Sequence, residues 1–450
     1  MRKLVILAVG LFVVCGQLIR IPVFLVPYKN TAILPNDLGL FVIVALVLPW
    51  KLYRRRLFYR EPLLAWPIAA FLIAAAVSLG VNTIYYNLHN YEVFISSLYL
   101  GRWALYCAVY FVFLDIVETR RHVVWAVGVF GAVLLLFASF GIYQAIVLPN
   151  FAYIVHPEDA VGAWDLQKNR LVSTFLDPNL AGCLIAVGLI FAVLGFMEGY
   201  KIALLPIAVF AAALVLTYSR GSFLSFGVAV LYLVLTGRRK WRGIAGLVVA
   251  CGVFALLIPY LLPHAEDYNR LTLSDYSAMW RIVSWRLCLT LIRDNFFFGV
   301  GFDTLPYVVG KYGFMAGERG SAFGLEGGLL TIFALSGVFG LAAYCYLLGK
   351  VLWAAHLIYA KSGDRLFRVI AKGTFASVLV IVTSSLFTLT LLYIFIMEFY
   401  WGMFALLNVV NILSRRSRPE TAEGEREPFQ PVSNAAHFGR RPVPVTWSAR

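Results

Sequence analysis

Four side chains in this sequence stand where chemistry on an anion can be done: Arg170, Arg220, Arg281 and Glu326, each at the end of, or just outside, a long apolar run. Arg220 lies in Thr217-Tyr218-Ser219-Arg220-Gly221-Ser222, where one apolar run stops and the next begins at once. Arg281 shares a segment with Arg286 and Arg293 at helical spacing, Trp280 and Trp285 interleaved, the pattern of an amphipathic helix on a membrane surface. If Arg281 points inward to join Arg220, two guanidiniums from separate segments clamp phosphate oxygens bidentately. Glu326 ends a polar stretch at the mouth of a later run, where partial desolvation raises a carboxylate toward the range of a general base. Arg170 leads into Asp177-Pro178-Asn179, a turn and helix-entry signal. Plainer roles stay open for all of them: snorkelling to lipid phosphates for Arg220, interface anchoring for Arg281 and Arg286, capping for Asp177 and Asn179, and helix-dipole complementation for Glu326.

The elements that must position these residues are membrane spans. The 450 residues are 61% apolar and 14% charged, too apolar for a soluble domain. Runs long enough to cross roughly 30 Å of hydrocarbon fall near 4–27, 34–50, 62–82, 97–117, 123–148, 180–197, 202–218, 222–236, 243–262, 328–349, 369–389 and 390–412. The fold class expected is therefore all-α and polytopic, with about twelve transmembrane helices and a large loop between the ninth and tenth. Threaded from a cytoplasmic N-terminus, the order puts Arg2, Arg54-Arg55-Arg56, Arg120, Lys201, Arg238-Arg239-Lys240, Arg365 and Arg415 on one side. The net charge of +15 then follows from topology and calls for no nucleic acid. Residues 1–414 read as one integral domain, 415–450 as a disordered cytoplasmic tail, and the start as an uncleaved first span, so both termini are expected in the cytoplasm.

The same threading places two polar loops, about 149–179 and 263–327, on the outer face, together with the candidate residues. The six cysteines form no CxxC pair, and His89, His156 and His264 on that face are scattered, so no metal or cofactor is expected. Any of those histidines remains a candidate base. Gly299-Val300-Gly301 lacks the third glycine and the βαβ setting of a dinucleotide site, and P-loop, nucleophile-elbow and HExxH patterns are absent.

In order and spacing these features resemble the O-antigen ligase and O-antigen polymerase superfamily of bacterial envelope proteins, from about Arg170 to Leu341. The resemblance is carried by Arg170 with Ser173-Thr174-Phe175 and Pro178-Asn179, by Ser219-Arg220-Gly221, and by Arg281 and Trp285 followed by Gly299-Val300-Gly301-Phe302. It closes with Ser336-Gly337-Val338-Phe339-Gly340-Leu341. It implies a metal-independent glycosyltransferase of twelve helices in the bacterial inner membrane, using undecaprenyl-diphosphate-linked glycan donors at the periplasmic face. A glycan or lipid A-core-like acceptor and membrane lipids are the implied partners. Arg220 and Arg281 would bind the diphosphate, with Arg170 and Arg286 near it, and Glu326 would stand where ligases of the group carry a histidine. A different class, a polytopic solute transporter, would instead place Glu398 and Arg102 along a central path.

Overall fold

The computed structural model describes residues 2–26, 29–53, 61–155, 170–237, 276–313 and 325–416. The Arg54-Arg55-Arg56 and Arg238-Arg239-Lys240 clusters, the expected span 243–262, His156, His264, the loop segments 156–169, 263–275 and 314–324, and the tail from 417 lie outside these residues. Fourteen helical segments are described: α1 (Arg2–Cys15), α2 (Pro35–Tyr53), α3 (Ala65–Tyr85), α4 (Asn90–Ile116), α5 (Arg120–Val147), α6 (Phe151–Val155), α7 (Pro178–Met197), α8 (Leu204–Leu216), α9 (Arg220–Leu235), α10 (Tyr276–Asp294), α11 (Leu305–Val308), α12 (Gly328–Lys361), α13 (Arg365–Ser384) and α14 (Ile394–Arg416). Short polar side chains start several of them. Thr119 caps α5, Asp177 accepts from the Asn179 and Leu180 amides ahead of α7, Ser219 caps α9 and Asp364 caps α13.

Among the described residues seven helices are long and apolar enough to cross a membrane: α3, α4, α5, α7, α12, α13 and α14. Helices α8 and α9, of 13 and 16 residues, are apolar; α8 is shorter than the run expected at 202–218, and α9 covers nearly all of the run expected at 222–236. Their lengths, roughly 20 and 24 Å, fall below the hydrocarbon thickness. Outward faces keep apolar side chains exposed, among them Ile73 at 64%, Leu136 at 59% and Leu205 at 66%, which suits lipid and not water. The apolar stretch of α14 is 83% buried and those of α7 and α13 are 72% buried, against 33% for α3. The bundle is therefore centred on α7, α13 and α14. Helix α14 packs on α4, α13 on α7, α9 and α12, and α12 on α3.

Two expected spans are redrawn. The run 4–27 is helical only to Cys15, and it then forms an antiparallel hairpin, β1 (Ile21–Val26) with β2 (Lys29–Ile33), an exception to the all-α expectation. Gly16 makes the break: it takes φ +51°, a Cβ there would overlap the Thr174 carbonyl, and the next amide, Gln17, donates to that carbonyl at 2.8 Å. The pair 369–389 and 390–412 is separated by turns between Ser384 and Ile394. The hydroxyls of Tyr344 and Tyr400 donate to the Leu391 carbonyl, at 3.1 and 2.9 Å, and the Gly328 amide donates to the Ser385 carbonyl, which satisfies this non-helical backbone inside the protein.

Helix α12 is broken at Gly337, whose φ of 67° and ψ of −171° are open essentially to glycine alone. The carbonyls freed by the break are taken by a loop. Val300 and Gly301 amides donate to Ala334 and Leu335 at 2.9 and 3.1 Å, and the Val338 amide returns to the Phe296 carbonyl at 2.9 Å. From the other side Ser78 and Asn82 of α3 donate to Leu335 and Gly299 carbonyls at 2.8 and 3.0 Å. Gly299-Val300-Gly301 and Gly337, separate in sequence, are thus the two sides of one joint, and the joint fixes α10 against α12.

Ion pairs tie one end of the bundle: Arg2 with Glu118, Arg120 with Asp364 at 2.7 Å and Arg368 with Glu198 at 2.6 Å. The candidate residues gather at the other end. For the joint we expect Gly337→Ala to cost about 2 kcal/mol or more, because a Cβ there overlaps the Phe297 carbonyl. Thermal unfolding of the purified protein measures it, and an unchanged melting temperature would show that the loop can withdraw without loss.

Candidate functional site

The turn between α8 and α9 is built before any ligand is considered. Tyr218 holds φ +48°, reversing the chain, and Ser219 Oγ donates to Asn179 Oδ1 at 2.8 Å while capping α9. Ser222 Oγ reaches the Asn179 carbonyl at 3.3 Å, and Gly182 leaves room for it, since a Cβ there would collide with that oxygen. Asn179 therefore does more than enter a helix: it stitches the first turn of α7 to the turn that carries Arg220. Arg220, the first residue of α9, is exposed.

Arg170 is brought to the same turn. Its Nε donates to the Thr217 carbonyl at 2.9 Å, and the next amide, Leu171, donates to Leu216 at 2.9 Å. Buried Gln144 of α5 holds this strand of chain from behind, accepting from the Val172 and Ser173 amides at 2.9 and 3.2 Å and donating to the Arg170 carbonyl at 3.3 Å. Gln144 was not foreseen from sequence. An amide near the end of a 28-residue apolar helix was the available signal.

Arg281 points inward from α10, its side chain 16% exposed. Its Nε–H is aimed at the Phe387 carbonyl at 3.3 Å, and its guanidinium carbon lies 5.9 Å from the Phe387 ring centre. A Cβ on Gly221 would stand 3.3 Å from the same ring, so Phe387 sits between the Arg220-Gly221 turn and Arg281. Trp285 Nε1 donates to the neighbouring Leu386 carbonyl at 3.1 Å. Phe387 carried no sequence signal, because an aromatic inside an apolar run is indistinguishable from core.

Glu326 closes the rim. Its Oε2 is 3.3 Å from Arg281 Nε, an ion pair without hydrogen-bond geometry, so that oxygen is buried and accepts no hydrogen bond. Its backbone is clasped by Ser284, whose hydroxyl accepts from the Glu326 amide and lies 3.3 Å from the Glu326 carbonyl. Gly327 follows at φ +104°, a backbone strained for any other residue, and a Cβ there would press on Trp285 Nε1 at 3.2 Å. Burial pushes the Glu326 carboxyl up to about 7; Arg281 pulls it back, and the charge of Asp177 adds to the rise. Asp177, read from sequence as a cap, thus also shapes the electrostatics here.

The structure accordingly brings Arg170 to the Arg220 turn, and Arg281 to Glu326, with Phe387 bridging the two sets. Arg286 is on the exposed face of α10, about 140° around from Arg281, and Arg293 is exposed and paired with Asp294 at 2.8 Å. His89 begins α4 as its N-cap residue. Glu398 is fully buried and accepts from Asn36 at 2.8 Å, while Arg102 pairs with Asp37 at 2.6 Å. Glu398 is enclosed between helices, and the Arg102–Asp37 pair is partly exposed.

Fold and site together define a polytopic α-helical membrane protein with an arginine and carboxylate rim at one end of its bundle. Residues 205–345, about a third of the chain, match the family model described as O-antigen ligase. The matched stretch contains Arg220, Arg281, Glu326 and both sides of the glycine joint, whereas Arg170, Asp177 and Phe387 lie outside it. A search of curated proteins gives no match.

A carboxyl raised above its unfolded value contributes stability that is complete below about 4.5 and is lost as pH rises through about 7. Infrared difference spectra on pH titration should show a protonated carboxyl band disappearing near pH 7 that Glu326→Gln removes and Arg281→Gln moves to higher pH. A band unaffected by either change would place the titration elsewhere.

Proposed function

We propose that this chain transfers or polymerises glycans from an undecaprenyl-diphosphate-linked donor at the periplasmic face of a bacterial inner membrane. The match to O-antigen ligases supports a membrane glycosyltransferase of the ligase or polymerase type. The donor, the membrane face, about twelve spans, cytoplasmic termini and independence from metal are parts of this proposal. One observation carries the chemistry: Arg281 and Glu326 meet across Phe387 from the turn that bears Arg220, with Arg170 tied to that turn.

In the proposed reaction an acceptor hydroxyl oxygen attacks the anomeric carbon of the donor glycan. The new glycosidic bond forms as the bond from that carbon to the diphosphate oxygen breaks, and the hydroxyl proton passes to Glu326. A base titrating near 7 takes that proton and remains partly ionised at neutral pH. Arg220 and Arg281 offset the charge that grows on the departing lipid diphosphate, a role whose loss typically costs about 10²–10³-fold in kcat. Arg170, held at the turn that bears Arg220, serves donor binding, and Arg286, turned to the exposed face of α10, is left out of that role. The isoprenoid tail stays in the bilayer.

The deciding assay places purified protein in liposomes with a lipid-diphosphate-linked oligosaccharide and follows free lipid diphosphate and glycan length. Release should fall about 10²–10³-fold in Arg220→Ala and in Arg281→Ala, and Glu326→Gln should abolish the pH dependence near 7. Longer lipid-linked glycan identifies a polymerase, and transfer to an added acceptor identifies a ligase. No release with any acceptor, beside a solute flux that needs Glu398, overturns the transferase in favour of a transporter.

A further inference from the structure

A second cluster of charges is buried where α1, α2, α4 and α14 meet. Asn36, Tyr106 and Glu398 are fully buried and Asp37 is 9% exposed. The Asn36 amide nitrogen donates to the Phe12 carbonyl at 2.9 Å and to Glu398 Oε2 at 2.8 Å, which fixes its orientation. Asp37 Oδ2 is fully engaged by Arg102, at 2.6 Å, and by the Leu34 amide at 2.9 Å. Arg102 also donates to the Ala32 carbonyl.

Four buried oxygens of these groups are left over. Asn36 Oδ1, Asp37 Oδ1, Glu398 Oε1 and the Tyr106 hydroxyl make no well-formed hydrogen bond, and the Tyr106 hydroxyl faces Asp37 and lies within electrostatic reach of Glu398 and Arg102. Whenever both carboxyls are ionised, two carboxylates against one guanidinium leave the cluster one negative charge in excess. A buried excess charge is expensive until something positive joins it. Three of these atoms are pure acceptors, and carboxylate and amide oxygens together are the donor set that hard cations prefer. Arg102 and Asp37 keep 17% and 12% of their side chains exposed, which leaves a way in.

We propose that Asn36 Oδ1, Asp37 Oδ1, Glu398 Oε1 and the Tyr106 hydroxyl form a binding site for one monovalent alkali-metal cation. Its single charge matches the single deficit. The ion ties the starts of α2 and α14 to the middle of α4, and α14 follows directly on the turns that carry Phe387. The site does not depend on the transferase reading, since none of its ligands belongs to the rim.

The test is thermal unfolding of the purified full chain in detergent, in sodium or potassium chloride against choline chloride at fixed ionic strength and pH. Either alkali salt at about tenfold above its Kd should raise Tm saturably, by roughly 1–2 °C for a chain of this length. Glu398→Gln, which removes the excess charge, should abolish that response. A response retained in this variant overturns the site. If Glu398→Gln does not fold, Tyr106→Phe, which keeps every charge, should need more salt for half the effect, and an unchanged midpoint overturns the proposal. A wild-type Tm equal in all three salts also overturns it, and assigns the missing charge to a proton if Tm then varies with pH.

Discussion

Every backbone amide and carbonyl inside a hydrocarbon layer needs a partner within the protein, and this structure is arranged around the places where a helix fails to provide one. The break at Gly337 is the chief of these. It frees carbonyls of α12 in a buried position, and the Phe296–Gly301 loop fills them with its own amides while α3 secures the loop from behind. That exchange, together with the Ser284 clasp on Glu326, holds α10 to α12 and so Arg281 to Glu326. The turns between α13 and α14 obey the same constraint through Tyr344, Tyr400 and Gly328, and they deliver Phe387 to the rim.

The rim inherits rigidity from these joints. Arg220 rides on a turn whose hydroxyls are engaged by Asn179, and Arg170 on a segment held by Gln144, so both arginine heads are carried on a backbone with little freedom left. Preorganisation of this kind is what charge stabilisation at a reacting centre requires, because dipoles and charges that must first reorganise contribute far less. Glu326 gains its character from the same packing. Ser284 consumes its backbone groups, Arg281 approaches but donates elsewhere, and the carboxyl is left buried enough to hold a proton near neutrality.

Much of this was legible as cost. Arg220, Arg281 and Glu326 stand out because a charge next to twenty apolar residues is disfavoured unless it has work or a partner, and the paired Arg281 and Glu326 have a partner. Arg286 shows the limit of that logic: helical spacing put it beside Arg281 in sequence, and the helix turned it to the exposed face. Phe387 and Gln144 were hidden for the opposite reason, as residues that suit an apolar helix and cost nothing there. The first apolar run misled through composition, since hydropathy summed over a window does not register one glycine forced into a left-handed conformation by a neighbour more than 150 residues away.

The sequence by itself determined the bilayer setting, the helical class and which charges need explaining, because these follow from the transfer of side chains between water and hydrocarbon, a property of composition and run length. It also carried the family likeness, in motifs whose order survives without a fold. Tertiary structure alone decided that the two glycine motifs are one joint, that Asp177 lies within electrostatic reach of Glu326, and that Glu398 meets Asn36 from the other end of the chain. Those are relations between segments up to 362 residues apart, set by helix packing and backbone hydrogen bonding, and no local pattern of residues encodes them.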